Sequence, residues 1–585
     1  MSDSFRERVE ARRGIKPRRR SMFDLGLGAQ SAISAMIVGL LSAILYVIAF
    51  APFDFAEAAF LFAIPWIIWG GLRPGWRMWV LTVLASQWFA WSMILIWLRH
   101  VANVAGAPLP SITGPLIVMA LALVVTLVQL PWFALVRWAV PLLRSKPAFA
   151  RIVGLFGIAG AWSLLEWVRS WLFTGFPWAV LASSQWRNPV ALQPASYGGA
   201  YLVSALLIAV NLAISFYVLR FIGRKKATGW IKSLCPELYV VVSLLMITLI
   251  LYMRELPNAD NMRAFFTASA IQPAIPQDLK WDRDRARENL DVLESQSRLA
   301  VIQDVDLLLW PESSTPEAVS DRFGGLETWV EALSAELETP ILMGNLIEEP
   351  DGSWYNGIFF VDPETGLKDS YYAKRKRVPF GEYVPLRWLP FVDKAVPLDY
   401  DIQAGESAAP MQITVDGSTF RVGGLVCYED VFPHLSRETA QLCVDLFLVV
   451  TNDAWYGREA AAYQHAAHSV LRAVETRRPV VRVGNEGWSG WIDAQGRIRQ
   501  EFVNAAGSIY TRGSSPMLLF RDIEQQKRPS FYVQYGDWFL WVAAGLLILT
   551  VVFIRIVPDL KDPDPEKNQQ DESNIFNRRR RLKKM

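Results

Sequence analysis

The chain has 585 residues, with 59 lysines and arginines against 56 acids for a net charge of +3; the positive residues gather at the ends and offset an acidic middle, which leaves no case for nucleic acid. A hydrophobic content of 52%, 25 tryptophans and a positive mean hydropathy exceed what one soluble core uses and call for membrane helices. Three cysteines without close spacing exclude a disulfide framework and a zinc site, and Cys235 and Cys443 are expected to be packing residues.

In chain order, residues 1–30 form a basic leader, Arg-rich over 6–20 and expected to be disordered. Apolar runs near the length that crosses a bilayer follow at 31–50, 56–71, 78–98, 114–135, 152–173, 197–219 and 238–253, the second and seventh being the shortest. An eighth, 538–556, comes after a long polar gap. This reading gives a polytopic α-helical membrane domain of about eight spans: seven helices over 31–256, a last one over 536–557, and then a basic tail over 558–585. Alternate loops are basic: Arg73 and Arg77; Arg137, Arg144, Lys146 and Arg151; Arg220, Arg224, Lys225, Lys226 and Lys232. The opposite loops hold only Arg99, Arg169 and Arg187. Cytoplasmic loops retain Lys and Arg, so both termini are expected inside and residues 263–522 outside the cytoplasm. "AFAP" at 49–52 offers a cleavage-like pattern, but the long basic leader and the following proline favour an uncleaved anchor.

Between 263 and 522, strand-like and helix-like stretches alternate. "AFFTASAIQ", "VDLLLWPE", "PILMGNLIE", "NGIFFVD", "FRVGGLVCYED" and "DLFLVVTND" read as strands, with helices over 282–300, 326–337, 433–442 and 460–477. This is the pattern of one α/β sandwich domain.

Three places bring reactive groups to strand ends or loops. "LLLWPESS" puts Glu312 just past a buried strand, "YYAKRKRVPFGEYVPL" carries Lys374 and Glu382 on a Pro/Gly-interrupted loop, and "GLVCYED" puts Cys427 where a strand turns towards a helix. A nucleophilic cysteine needs a proton acceptor, and an acyl-transfer intermediate needs positive charge at its oxygen. The acids Glu429 and Asp430 beside Cys427 raise a thiol's pKa, so a compensating cation is called for, and Lys374 is the candidate. Taken singly, each residue also has a plain reading: a buried small hydrophobe, a turn carboxylate, a solvated lysine.

Together, in the order Glu, Lys, Cys, these motifs resemble the nitrilase superfamily. "AFAPFDFA", "EWVRSWLFTGFPWAVLASSQW", "IPQDLKWD", "VPFGEYVPL", "TNDAWYG" and "YGDWFL" resemble its membrane-embedded branch, the apolipoprotein N-acyltransferases, over about 31–556. The resemblance implies an α-β-β-α sandwich on the extracytoplasmic side of a bacterial inner membrane and a catalytic triad of Glu312, Lys374 and Cys427. It implies supporting roles for Glu382, Tyr428, Glu429, Trp281 and Trp455. It further implies a phospholipid acyl donor, a diacylglyceryl-lipoprotein acceptor, a thioester intermediate, no cofactor, no metal and a monomer. "TGFPWAVLASSQW", with Trp178, is expected to form part of an acyl-chain floor beneath Cys427, the alternative being an ordinary interfacial loop. After "RPVVRV", Trp488 and Trp491 add bulk beyond the family's usual stretch and bear on acyl-chain preference.

Several residues are given simpler expectations. Glu166 and Arg169, three apart, are expected to pair, with contact between Arg169 and a lipid phosphate as the sharper alternative. His465 and His468 share a helix face without a metal-binding motif. The basic residues after Lys374 are expected to be solvated, or else to attract headgroups. Two rival functions use the same sequence: a membrane-tethered nitrilase-type amidase acting on a small C–N substrate, and a transporter, for which the spans offer few ionisable groups.

Overall fold

The computed structural model describes residues 29–107, 109–222, 235–319, 325–385, 387–388 and 401–560. The Arg-rich leader, the basic residues Arg224, Lys225, Lys226 and Lys232, and the tail past 560 lie outside the described residues.

Every one of the eight apolar runs is helical. They form α1 (Ala32–Ile48), α2 (Ile64–Gly71), α3 (Trp76–Ile94), α5 (Pro110–Leu143), α6 (Ala148–Trp171), α7 (Ala195–Phe221), α8 (Pro236–Arg254) and, at the end, α13 (Trp538–Ile556); a short α4 (Leu98–Val104) follows α3. By length and apolarity five of the described helices can cross a membrane, or six if α3 and α4, bent by 52°, count as one span. The expected count of about eight also includes the first and second runs, whose apolar helices are shorter. The second run breaks into a 3-10 turn, Ala56–Phe60, and the eight-residue α2. At 1.5 Å per residue α2 extends only about 12 Å, against a hydrocarbon core of roughly 30 Å. The first run, α1, stops at 17 residues, whereas the seventh, α8, one of the two shortest runs, reaches 19 and qualifies.

The segment between α8 and α13 folds as two stacked sheets. The first contains β1 (Met262–Gln272), β2 (Leu307–Trp310), β3 (Ile341–Glu348), β4 (Trp354–Asp362), β5 (Gly366–Leu367), β6 (Tyr372–Ala373) and β13 (Gly513–Asp522), in the order β13-β1-β2-β3-β4-β5, with β6 also on β4. The second contains β7 (Met411–Val415), β8 (Ser418–Val426), β9 (Leu446–Thr451), β10 (Val480–Gly484), β11 (Gly490–Ile492) and β12 (Ile498–Glu501), in the order β12-β11-β10-β9-β8-β7. Strands β1, β2 and β3 run parallel, as do β8, β9 and β10.

Alternation of side chains decides what each sheet face covers. In β2, Leu307 and Leu309 enter the cluster between the sheets, and Leu308 and Trp310 face the cluster shared with helices α9 (Ala286–Val301) and α10 (Leu326–Glu336). In β9, Leu446, Leu448 and Val450 point between the sheets, whereas Phe447 and Val449 join the cluster containing α11 (Pro433–Gln441) and α12 (Ala461–Thr476). The layers are α-β-β-α. Every strand and helix expected from sequence is present; the added strands are chiefly β7 and β10 to β13.

That second outer cluster is continuous with the core of the membrane helices. α12 is the strut between them. From α12, the Gln464 carbonyl oxygen accepts from Trp97 Nε1 at 3.1 Å and Trp178 Nε1 at 2.8 Å, and its amide donates to the carbonyls of Ala51 and Ile94. Glu475, at the other end of α12, accepts from the Ala200 N–H at 2.8 Å where α7 is kinked at Gly198 and Gly199.

The last helix packs on α6 through small residues: a Cβ at Gly160 would lie 2.7 Å from Ala543 Cβ. Close backbone approach of this kind is what holds membrane helices together in the absence of a hydrophobic driving force. Gly160→Val is expected to cost about 1–3 kcal/mol by overpacking and to lower the thermal unfolding midpoint of the detergent-solubilised protein. Gly545→Val, where a Cβ meets nothing within 4 Å, should leave it unchanged.

Candidate active site

The parallel strands of both sheets end at one rim, and open α/β sheets place ligands outside such carboxyl ends. Cys427 follows β8 directly and takes φ +53°, a left-handed conformation costly for a residue with a Cβ. The chain then enters a 3-10 turn, Cys427–Val431. Glu429 holds this elbow from inside: its Oε2 accepts from the Val426 N–H at 2.8 Å and the Tyr372 hydroxyl at 2.9 Å, and its Oε1 from the N–H groups of Arg375 at 2.7 Å and Lys376 at 3.0 Å. All four are bonds to a fully buried carboxylate, so Glu429 has no lone pair free to act as a base. Its bonds tie the elbow to the loop after β6.

Glu312 lies two residues past β2 against Gly344, where a Cβ would come within 2.9 Å of Glu312 Cα, so only glycine admits this approach. Lys374 follows β6; its Nζ donates to Glu382 Oε1 at 2.8 Å and lies 3.5 Å from Glu312 Oε1. Asn356, on β4, bridges the same two acids, donating to Glu312 Oε1 at 2.8 Å and Glu382 Oε1 at 3.0 Å. Glu382 Oε2 accepts from the Val378 N–H at 2.7 Å, which pins the loop. Burial opposes the charge on Lys374, but Glu382 and then Glu312 outweigh it and raise its pKa, so it stays an ammonium. The expected compensation at Cys427 is only partial. Burial first, and the Glu312 carboxylate second, push the thiol up by more than Lys374 pulls it down, so Cys427 rests as a neutral thiol.

Behind the elbow lies a second buried cluster. His465 Nδ1 is 2.8 Å from Asp453 Oδ1; its Nε2 is 3.0 Å from Asp430 Oδ1 and 3.1 Å from the Cys427 carbonyl oxygen. Arg482 Nη1 donates to Asp430 Oδ2 at 2.7 Å and Nη2 reaches Asp453 Oδ2 at 3.3 Å. Burial and Arg482 oppose charge on His465, yet Asp430 and Asp453 more than offset them and raise its pKa. Two acids thus face two cations, and His465 grips the strained cysteine's own carbonyl.

The other expected residues sort as follows. The Tyr428 hydroxyl donates to the Gly175 carbonyl at 3.2 Å, tying the residue after Cys427 to the loop after α6. Trp178, buried in that same loop, packs at a tilt against His465 and His468 as well as bonding Gln464, so "TGFPWAV" lies under the elbow. Trp281 is 42% exposed at the rim, and Trp455 is half-buried in the turn Asp453–Tyr456.

Three expectations fail. Glu166 and Arg169 do not pair: Glu166 Oε1 is taken by Trp162 Nε1 and the Leu181 N–H, and the Arg169 guanidinium lies 4.9 Å from the Trp91 ring centroid. The basic run is not solvated, because Arg375 binds Glu438 and the Leu435 carbonyl, Lys376 lies over Phe432, and Arg377 donates to the Ile402 carbonyl. Cys443 is exposed rather than packed. Trp488, whose effect the sequence left open, is fully buried with its Nε1 donating to Glu501, and Trp491 sits between the sheets.

Sequence reasoning missed Asn356, the Asp430–Asp453–His465–Arg482 cluster, and Lys280. The signal for Asn356 was a polar residue opening an otherwise apolar strand; for the cluster it was the acids inside "CYED" and "TNDAW".

Residues 42–213 match the family described as Apolipoprotein N-acyltransferase N-terminal domain, and residues 267–510 match Carbon-nitrogen hydrolase. An apolipoprotein N-acyltransferase of Geobacter metallireducens is 32% identical over 83% of this chain and 88% of its own. One of Pseudomonas aeruginosa is 30% identical over 87% and 93%. Among solved structures, a nitrilase-superfamily amidase of Nesterenkonia AN1 aligns at 18% identity over 48% of this chain and 97% of its own, with a TM-score of 0.32. A membrane half and a carbon-nitrogen hydrolase half in this order, together with relatives of this identity along nearly the whole length, establish that the chain belongs to the apolipoprotein N-acyltransferase family, acyltransferases of the nitrilase superfamily.

Proposed function

We propose that this acyltransferase moves a fatty acyl chain from a membrane phospholipid, through a thioester on Cys427, to the free α-amine of a diacylglyceryl-cysteine at a lipoprotein's N-terminus. The observation that carries the reading is the convergence of Glu312, Lys374 and Cys427 at a strained, buried elbow whose supporting layer is the core of a membrane domain. Two lipid substrates suit a catalytic domain fixed to a bilayer, and a buried site protects a thioester from water.

In the first half-reaction Glu312 takes the Cys427 proton as sulfur attacks the phospholipid ester carbon. Lys374 and a backbone N–H, that of Tyr428, hold the oxyanion. As the C–O bond breaks, Glu312 returns the proton to the departing alkoxide, and a lysophospholipid leaves. In the second, the acceptor amine attacks the thioester and gives its proton to Glu312. The C–S bond breaks, the amide forms, and Glu312 reprotonates the thiolate. Glu382 and Asn356 keep Lys374 and Glu312 in register throughout, and Trp281, Trp455, Trp178 and Arg169 are assigned to substrate access and support. The enzyme works as a monomer in a bacterial inner membrane, with both termini cytoplasmic and the catalytic domain periplasmic; the basic loops through Arg73, Arg144 and Arg220 support this orientation.

Incubated with labelled phospholipid, the wild-type protein should gain an acyl thioester on Cys427 by mass spectrometry and pass it to a diacylated lipopeptide. Cys427→Ala should do neither, and normal transfer by it would refute the nucleophile; rapid hydrolysis of the adduct without amide product would favour an amidase. Lys374→Ala should slow adduct formation on the order of 100- to 1,000-fold. Glu312→Gln should be similarly impaired, and raising the pH from about 7 to 9 should not restore it. Burial, the largest cause of the thiol's raised pKa, is left in place by the substitution although the Glu312 carboxylate's smaller upward push is removed, so the thiolate stays scarce and external base does not replace the carboxylate. For orientation, exposed Cys443 should react with a membrane-impermeant maleimide in intact spheroplasts, whereas labelling only after lysis would reverse the topology.

A further inference from the structure

Lys280 closes the four-residue helix Gln277–Lys280 after β1, and its side chain turns inward rather than to solvent. It is 2% exposed, yet no carboxylate among the described residues lies within 4.0 Å of it. Its one hydrogen bond runs from Nζ to the Glu312 backbone carbonyl, at 3.0 Å. That carbonyl belongs to the peptide leading into Ser313, which sits at φ +48°, a strained conformation for serine. The short helix is itself fixed from three sides. Asn289 on α9 donates to the Leu279 carbonyl at 3.2 Å, Asn452 donates to Gln277 at 2.6 Å, and Asn485 brackets Ile275 through both its backbone groups. A buried lysine held this firmly against one peptide is an expensive arrangement unless the peptide's orientation matters.

We propose that Lys280 is a positioning residue for catalysis: its ammonium clamps the Glu312 peptide in the strained conformation that aims the carboxylate at Cys427. This rests on the assignment of Glu312 as the base. The clamp is strongest while the amine is charged. Burial, opposed by Glu312 and Cys427, lowers its pKa to about 7, so the charged form predominates at pH 6 and gives way as the pH rises through neutrality. The titratable groups that act on it are Glu312 after β2 and Cys427 at the elbow, and Asp278 and Asp282 share its own segment.

The test uses the full-length protein in detergent and the rate at which chloroacetamide alkylates Cys427, a readout that needs neither acyl donor nor acceptor. Rates are followed from pH 5.5 to 8.5 alongside thermal unfolding. Wild type should lose rate with a midpoint near neutral pH. Lys280→Met should react about tenfold more slowly at pH 6 and show no such limb. Lys280→Arg, charged throughout, should recover most of the rate and hold it past pH 8. A wild-type rate and profile in Lys280→Met would overturn the proposal, as would equal losses in Met and Arg with an unchanged profile. Glu312→Gln distinguishes the two levels: if it is slow while Lys280→Met is normal, only the clamp fails, and if it is normal, the base assignment falls with it.

Discussion

The site depends on one buried carboxylate. Cys427 ends a strand of the second sheet, and Lys374 follows a strand of the first; nothing covalent within fifty residues joins them. Glu429 does so, because one of its oxygens holds the elbow's Val426 N–H and the other the two N–H groups that follow Lys374. A carboxylate burdened this way is useless for proton transfer and valuable as a rivet. Hydrogen bonds to a charged acceptor in a dry interior are strong, and losing one partner leaves the others exposed to the full cost of burial. The register between nucleophile and lysine therefore follows from the fold and not from a flexible loop.

Around that rivet most of the buried charges are paired, Lys280 being the exception. Lys374 is matched by Glu382 and Glu312, and the Asp430–Asp453–His465–Arg482 cluster sets two acids against two cations. Buried ions pay several kcal/mol each in lost solvation and are usually tolerated only when paired. The pairing leaves the thiol protonated, so in the proposed mechanism its reactivity comes from contact with a base rather than from a standing thiolate. Strain at Cys427 and Ser313 is held by these same networks.

The supporting layer extends beyond the catalytic domain. Tyr428 reaches Gly175, and α12 carries His465 to the elbow on the same turn as Gln464, which gathers Trp97, Trp178 and two carbonyls from the membrane helices. Positioning of the nucleophile and docking on the membrane domain are thus one structural problem, solved by one helix. The membrane half is a part of the site's foundation as well as an anchor.

Much of this was legible in the residues. Apolar runs mark helices because a chain in lipid must satisfy its own backbone, and period-two alternation marks strands because successive side chains face opposite ways. Hence all eight runs and the main strands could be read, and Glu312, Lys374 and Cys427 stood out by type, place and resemblance. Local sequence does not decide which polar groups meet. Glu166 and Arg169 sit at helical spacing yet found Trp162, Leu181 and Trp91 instead, and the basic residues after Lys374 found Glu438, Phe432 and Ile402. Asn356 and Lys280 acquired their neighbours only when strands and loops distant in the chain ended at the same rim. Apolar periodicity is a property of neighbours along the chain and is written in the sequence. Hydrogen-bond partnership and burial of charge belong to neighbours in space, and the packing of the two sheets on the membrane helices decided them.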